Sequence, residues 1–196
     1  MKYLYPCQPG GRLNIDSEQF AKFDNDERWV AETKRNGWRC LACKDGSKLI
    51  LYTRRNTMIM DKLPRLREAL RTQLPDGTII DGELMEKRTK NVKELFYAFD
   101  ILFHMGRPVY NLPWKERRKL LEETITEIPD LIELSVPTII EKRKLYEDSI
   151  KTDEGIVLKL IDSKYPVGNT KGIDNPFWIK VKKPENYQYI KEDDTK

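Results

Sequence analysis

The segment from Leu95 to Phe103 is almost wholly apolar. It is far shorter than the roughly 18 residues a membrane span requires, so it reads as a strand at the centre of a sheet, buried on both faces.

The neighbouring segments supply further elements. Arg28 to Lys34 alternates as a strand. Gly37 joins it to a hairpin, in which Trp38-Arg39-Cys40-Leu41-Ala42-Cys43 runs into the Asp45-Gly46 turn. Asp61 to Leu74 carries Leu63, Leu66, Leu70 and Leu74 at helical spacing and stops at Pro75-Asp76-Gly77. Thr78 to Met85 reads as a strand, Leu112 to Ile125 as a helix with basic residues along one side, Leu131 to Val136 as a strand and Glu141 to Ile150 as a short charged helix. Glu154 to Leu160 and Phe177 to Val181 are the last strands, separated by the Gly- and Pro-containing loop Asp162 to Pro176. The start, with Pro6, Pro9, Gly10 and Gly11, reads as irregular, and the polar end from Lys191 to Lys196 as frayed. These elements predict an α+β fold, two mainly antiparallel sheets flanked by helices, in one domain over residues 1–196 with a tail at 184–196.

Composition narrows the function classes. The chain of 196 residues lacks a long apolar run and a leader pattern, so no membrane association and an intracellular setting are expected. Three cysteines do not form a secreted disulfide framework. Cys40 and Cys43 form a C-x-x-C without a second pair and face opposite sides of a strand, which disfavours zinc or redox use. His104 is the single histidine, which argues against a histidine triad or a multi-histidine metal centre. The net charge of +4 is compatible with a polyanion partner without requiring one.

Five short blocks then fall in order: Lys34-Arg35-Asn36-Gly37, Asp81-Gly82-Glu83, Phe99-Asp100, Glu154-Gly155-Ile156-Val157-Leu158-Lys159, and Trp178-Ile179-Lys180-Val181-Lys182. Taken singly, each has a plain structural reading. Lysines on a last strand can face solvent, glutamates can form surface salt bridges, and Phe99 in an apolar strand is a core residue. Acidic residues on apolar strands are nevertheless costly unless paired or bound to metal. Asp81 and Glu83 share one face of their strand, and alternation puts Glu154 on one face with Ile156 and Leu158.

The order and spacing of the blocks resemble the covalent nucleotidyltransferase superfamily of ATP-dependent DNA ligases, RNA ligases and messenger-RNA capping enzymes. Leu112 to Arg118 and Asp162 to Gly168 resemble connecting segments of ATP-dependent DNA ligases in particular. The likeness covers about residues 29–183. It implies an ATP-grasp-like nucleotidyltransferase domain whose Lys34 attacks ATP, carries AMP covalently and passes it to a 5′-phosphate at a nick in duplex DNA, where a 3′-hydroxyl completes the phosphodiester bond. By the same resemblance Glu32 accepts from the adenine amino group, Phe99 stacks on the purine, Glu83 contacts the ribose, and Arg39 and Arg54 reach ribose or nucleic-acid phosphate, with Arg55 next to Arg54 a competing position. Glu154 and Glu83 would hold magnesium or manganese. Roles in DNA repair, replication and recombination are the family's general setting.

The chemistry suits these residue types. A free lysine with a pKa of about 10.4 must lose its proton to attack, which at pH 7 costs about 4.6 kcal/mol. Burial and nearby cations reduce that cost, and Lys180 and Lys182, two apart on one strand face, are placed to supply them and to grip phosphates. Asn36 stands where the family usually has aspartate, keeping an acceptor oxygen without the charge. Only 14 residues follow Lys182, too few for the OB-fold domain that two-domain ligases add, so a separate OB-fold domain or partner protein is the expected complement. The alternatives are an RNA ligase or capping guanylyltransferase domain, and a catalytically incomplete nucleic-acid-binding module.

Overall fold

The computed structural model describes residues 3–60, 63–85 and 94–183. Along the chain run β1 (Gln8–Leu13), α1 (Glu18–Asp24), β2 (Trp29–Lys34), β3 (Trp38–Asp45), β4 (Lys48–Thr53), α2 (Pro64–Gln73), β5 (Thr78–Leu84), β6 (Phe96–His104), β7 (Arg107–Pro108), α3 (Trp114–Thr124), β8 (Ile132–Leu134), α4 (Lys142–Ser149), β9 (Gly155–Leu160) and β10 (Asp174–Lys182). They cluster into two compact units, one built mainly from Asn36–Ser135 and Ile161–Asn175, the other from Pro9–Arg35, Val136–Leu160 and the segment from Pro176 onward.

The first unit holds a six-stranded sheet in the order β4-β3-β5-β6-β7, with β8 added in parallel beside β6. The apolar segment forms β6, whose neighbours β5, β7 and β8 satisfy its backbone. One sheet face packs Cys40, Ala42, Ile80, Phe96, Ala98 and Ile101 against Leu66 and Leu70 of α2 and Leu121 of α3. The glycine between Asp81 and Glu83 is required by this packing: a Cβ on Gly82 would stand 2.5 Å from the Phe96 ring and 2.7 Å from the Tyr97 carbonyl oxygen. Residues of the other parity, including Arg39, Asp81 and Glu83, lie on the opposite face.

The second unit holds a four-stranded sheet in the order β1-β10-β9-β2. Ala31, Ile156, Leu158 and Val181 cover one face and pack with Phe20 of α1 and Tyr146 of α4. The opposite face is polar. The register sets Lys34 across from Gly155, Glu32 across from Val157, and Lys180 and Lys182 across from Val157 and Gly155.

Several boundaries differ from expectation. The opening is not irregular: Gln8–Leu13 is a strand, and Pro9 is tolerated because β1 lies at a sheet edge. Helix α1 follows it, with the Ser17 hydroxyl accepting from the Phe20 amide at 3.1 Å as its N-cap. Helix α2 begins at Pro64 instead of Asp61, which lies outside the described residues, because Leu63 occupies the left-handed region at φ 34°. The basic residues of α3 divide: Arg117 is fully buried and Arg118 nearly so, whereas Lys115 and Lys119 are exposed. Cys7, Cys40 and Cys43 are all buried free thiols, and burial pushes the Cys43 thiol up to about 12, which leaves it inert at neutral pH. Among the described residues no group of three or more histidine, cysteine or acidic side chains could hold a metal, and no helix is long and apolar enough to cross a membrane.

Candidate active site

The polar face of the second unit's sheet gathers five of the expected site residues. Lys34 ends β2, and its ammonium lies 2.7 Å from Glu154 Oε2. Lys182, at the end of β10, pairs with the same oxygen. The backbone reinforces this corner, since the Glu154 amide donates to the Lys34 carbonyl at 3.0 Å. Lys180 lies on the same face, half-buried and without an ion pair among the described residues. One carboxylate therefore tethers two lysines, with a third cation beside them.

The expected facing of Glu154 is overturned. Ile156 and Leu158 enter the core, whereas the Glu154 carboxylate reaches Lys34 and Lys182 on the polar face. Gly155 is the cause. Its φ of +133° breaks strand alternation, and a Cβ there would stand 2.1 Å from the Val181 carbonyl oxygen. Partial burial alone would raise the Glu154 pKa, but the charges of Lys34 and Lys182 win and hold it below the usual carboxylate range. A depressed carboxyl pKa contributes stability that is fully present above the unfolded value of about 4.3 and is lost as pH falls through the folded value. Glu154→Gln removes that contribution, so the variant's thermal midpoint should fall less steeply than the wild type's between about pH 5 and about pH 3. Parallel slopes in a melting series over that range would contradict the assignment.

Glu32 lies two residues before Lys34 and is almost wholly buried, as is Lys159. Their side chains form an ion pair at 2.6 Å through Glu32 Oε2, while Glu32 Oε1 is buried with no hydrogen-bond partner. The Lys159 ammonium also stands 4.3 Å from the centroid of the Trp178 ring.

The first unit carries a second polar group. Arg39 donates through Nε and Nη2 to the two carboxylate oxygens of Asp81, each at 2.5 Å, a diagonal cross-strand pair between β3 and β5. The same Nη2 reaches the Cys7 carbonyl and the Tyr165 hydroxyl, both at 3.2 Å. The Tyr165 hydroxyl in turn donates to Asp81 at 2.5 Å. The Arg39 guanidinium lies 4.6 Å from the centroid of the Phe99 ring. Phe99 is only half-buried and stands outside the core cluster, so the plain core reading of this aromatic does not hold. Glu83 accepts from the Gly37 amide at 3.1 Å, tying the start of the hairpin to β5. Arg54 and Arg55 are both exposed in the turn after β4.

Sequence reasoning missed two buried ion pairs. Lys159–Glu32 is one; Arg117–Asp100 is the other, with Nε to Oδ1 at 2.7 Å and Nη2 to Oδ2 at 3.0 Å. Asp100 interrupting an apolar strand was the signal for the second, because a buried carboxylate needs a partner. Arg117 also donates to the carbonyls of Leu112 and Ser163, which fastens α3 to the loop before Tyr165.

The chain is 28% identical to a DNA ligase of Thermococcus fumicolans over 90% of its own length and 36% of that protein. It is 29% identical to the SPbeta prophage-derived DNA ligase-like protein LigB of Bacillus subtilis, over 84% of this chain and 64% of that one. It therefore spans about a third of the archaeal relative (36%) and just under two thirds of the prophage protein (64%). The fold is shared with mycobacterial DNA ligase D complexed with ATP and MES, at a TM-score of 0.63 and 22% identity, covering 89% of this chain and 60% of that chain. It is shared equally with a Chlorella virus DNA ligase-adenylate, at a TM-score of 0.62 and 19% identity, covering 90% and 69%. The family model for the ATP dependent DNA ligase domain matches residues 13–95 and 85–182, which takes in every block from Lys34 to Lys182, and the chain belongs to that family.

Proposed function

We propose that this chain is the adenylyl-transfer domain of an ATP-dependent DNA ligase, acting as one catalytic unit over its 196 residues. The observation that carries the reading is the tether of Lys34 and Lys182 to Glu154 on the polar face of a sheet whose other face is core. In the first step the Lys34 ammonium leaves Glu154 and gives up a proton. Its Nζ then forms a bond to the α-phosphorus of ATP as the bond to the β-phosphate oxygen breaks and pyrophosphate departs. An oxygen of a 5′-phosphate next displaces the lysine, so AMP becomes linked to the DNA end through a phosphoanhydride. The 3′-hydroxyl across the nick finally attacks that 5′-phosphorus, releasing AMP and closing the backbone.

Lys180 and Lys182 would neutralise phosphate charge during these displacements, and Glu32, Glu83 and Phe99 would contact adenine, ribose and purine face. Arg39 and Arg54 would meet ribose or nucleic-acid phosphate. Glu154 would help hold magnesium or manganese. A carboxylate suits such an ion, since magnesium is commonly bound by one or two carboxylates together with phosphate oxygens and water, without an all-protein cage. That ion would supply charge neutralisation at the phosphates. An OB-fold domain or partner protein would complete the grip on nicked DNA.

The reading is tested by giving the chain α-labelled ATP or GTP and then nicked duplex DNA or nicked RNA. Label should enter the protein from ATP and move to the 5′-phosphate of nicked DNA. Exclusive labelling by GTP, or transfer to RNA alone, would replace this reading with the capping or RNA-ligase alternative.

A further inference from the structure

We propose that Lys159 is the residue that sets purine choice, by holding Glu32 through one oxygen and leaving the other to recognise an exocyclic amino group. The inference deepens the adenylyl-transfer reading and rests on it. Of the two carboxylate oxygens of Glu32, Lys159 binds Oε2, at 2.6 Å, and Oε1 is buried without a donor. An ionised carboxylate can only accept hydrogen bonds. Its spare oxygen is therefore matched to a ligand that brings an N–H and is opposed to one that brings another acceptor. Adenine presents a 6-amino donor; guanine presents a carbonyl oxygen at the same position.

The pair is held from several sides. Glu32 and Lys159 stand on adjacent strands, β2 and β9, and Trp178 on β10 lies directly across from Lys159 in the sheet register. The ammonium is thus caught between the carboxylate and the face of the indole, 4.3 Å from the ring centroid. An ammonium is a point charge that can serve a single oxygen, whereas a guanidinium presents a fork suited to both. Lys159→Arg therefore keeps the buried charge balanced while occupying the oxygen needed for recognition. Lys159 is a positioning residue in this scheme, since it acts through Glu32.

The test compares, by calorimetry without divalent metal, the Kd of ATP with that of purine riboside 5′-triphosphate, which has hydrogen in place of the 6-amino group. The wild type should favour ATP by about tenfold or more, the size of one hydrogen bond to a charged acceptor. Lys159→Arg should bring the two Kd values within about threefold while its thermal midpoint stays near that of the wild type. Lys159→Met, which releases Glu32 altogether, serves as the second variant and should lose the preference as well. A wild-type ratio near one, or a tenfold preference kept by either variant, would overturn the proposal. The two readings fail separately. ATP preference without any covalent adduct contradicts adenylyl transfer alone, whereas an adduct together with an unchanged preference in Lys159→Arg contradicts the positioning role of Lys159.

Discussion

Lys34→Ala should abolish transfer of AMP to nicked duplex DNA, with a residual rate at least about 10⁴-fold below the wild type. Loss of a covalent nucleophile removes the step itself and leaves no intermediate to pass on. Removing Lys34 also leaves Glu154 paired with Lys182, so the carboxylate stays balanced and the fold should survive. The expected outcome is a folded chain with an unchanged circular dichroism spectrum, ATP binding within about tenfold of wild type, and no adduct. Lys34→Arg should behave alike, because a guanidinium does not surrender its proton at neutral pH. Supplying pre-adenylylated nicked DNA bypasses the first two displacements, and both variants should regain part of their sealing on it. A variant that formed the adduct from ATP would assign the chemistry to another lysine.

The second large effect concerns stability. Arg117 and Asp100 are essentially excluded from water and make a two-pronged ion pair. Arg117→Met strands the Asp100 carboxylate in that environment and strips donors from the Leu112 and Ser163 carbonyls. Removing one partner of a buried pair costs about 3–5 kcal/mol, a large fraction of the stability of a domain of ordinary size. Adding Asp100→Asn removes the uncompensated charge and should recover part of the loss. Urea unfolding of the single and double variants measures both numbers. Equal stabilities for wild type and Arg117→Met would show that the pair contributes nothing net, an outcome expected only where well-packed apolar groups replace both partners.

Strand β6 was legible in the sequence because its apolar run allows no exposed placement, and the ordered blocks singled out Lys34 and Lys182, which the structure brings together on Glu154. The facing of Glu154 was not, because alternation holds only for ordinary strand backbone and Gly155 at φ +133° departs from it. A glycine directly after an acidic residue is the visible trace of that departure. Strand β1 was hidden by Pro9, Gly10 and Gly11, which suppress strand propensity but are accommodated at a sheet edge. The Lys159–Glu32 and Arg117–Asp100 pairs were hidden for another reason: their partners lie 127 and 17 residues apart, and a charged side chain on a strand or helix gives no sign by itself of where it ends. Phe99 taken singly reads as core, yet it is half-buried beside Arg39 and outside the core cluster, because it stands on the sheet face opposite that cluster.

The proposed function turns on one covalent bond, between Lys34 and AMP. Its most direct test is peptide mass mapping of the chain after incubation with ATP and magnesium, under conditions that preserve a phosphoramidate. The predicted result is a single AMP on the peptide containing Lys34, lost when pyrophosphate is added back. AMP on a different lysine, or an unmodified chain that nevertheless seals nicks, would contradict it.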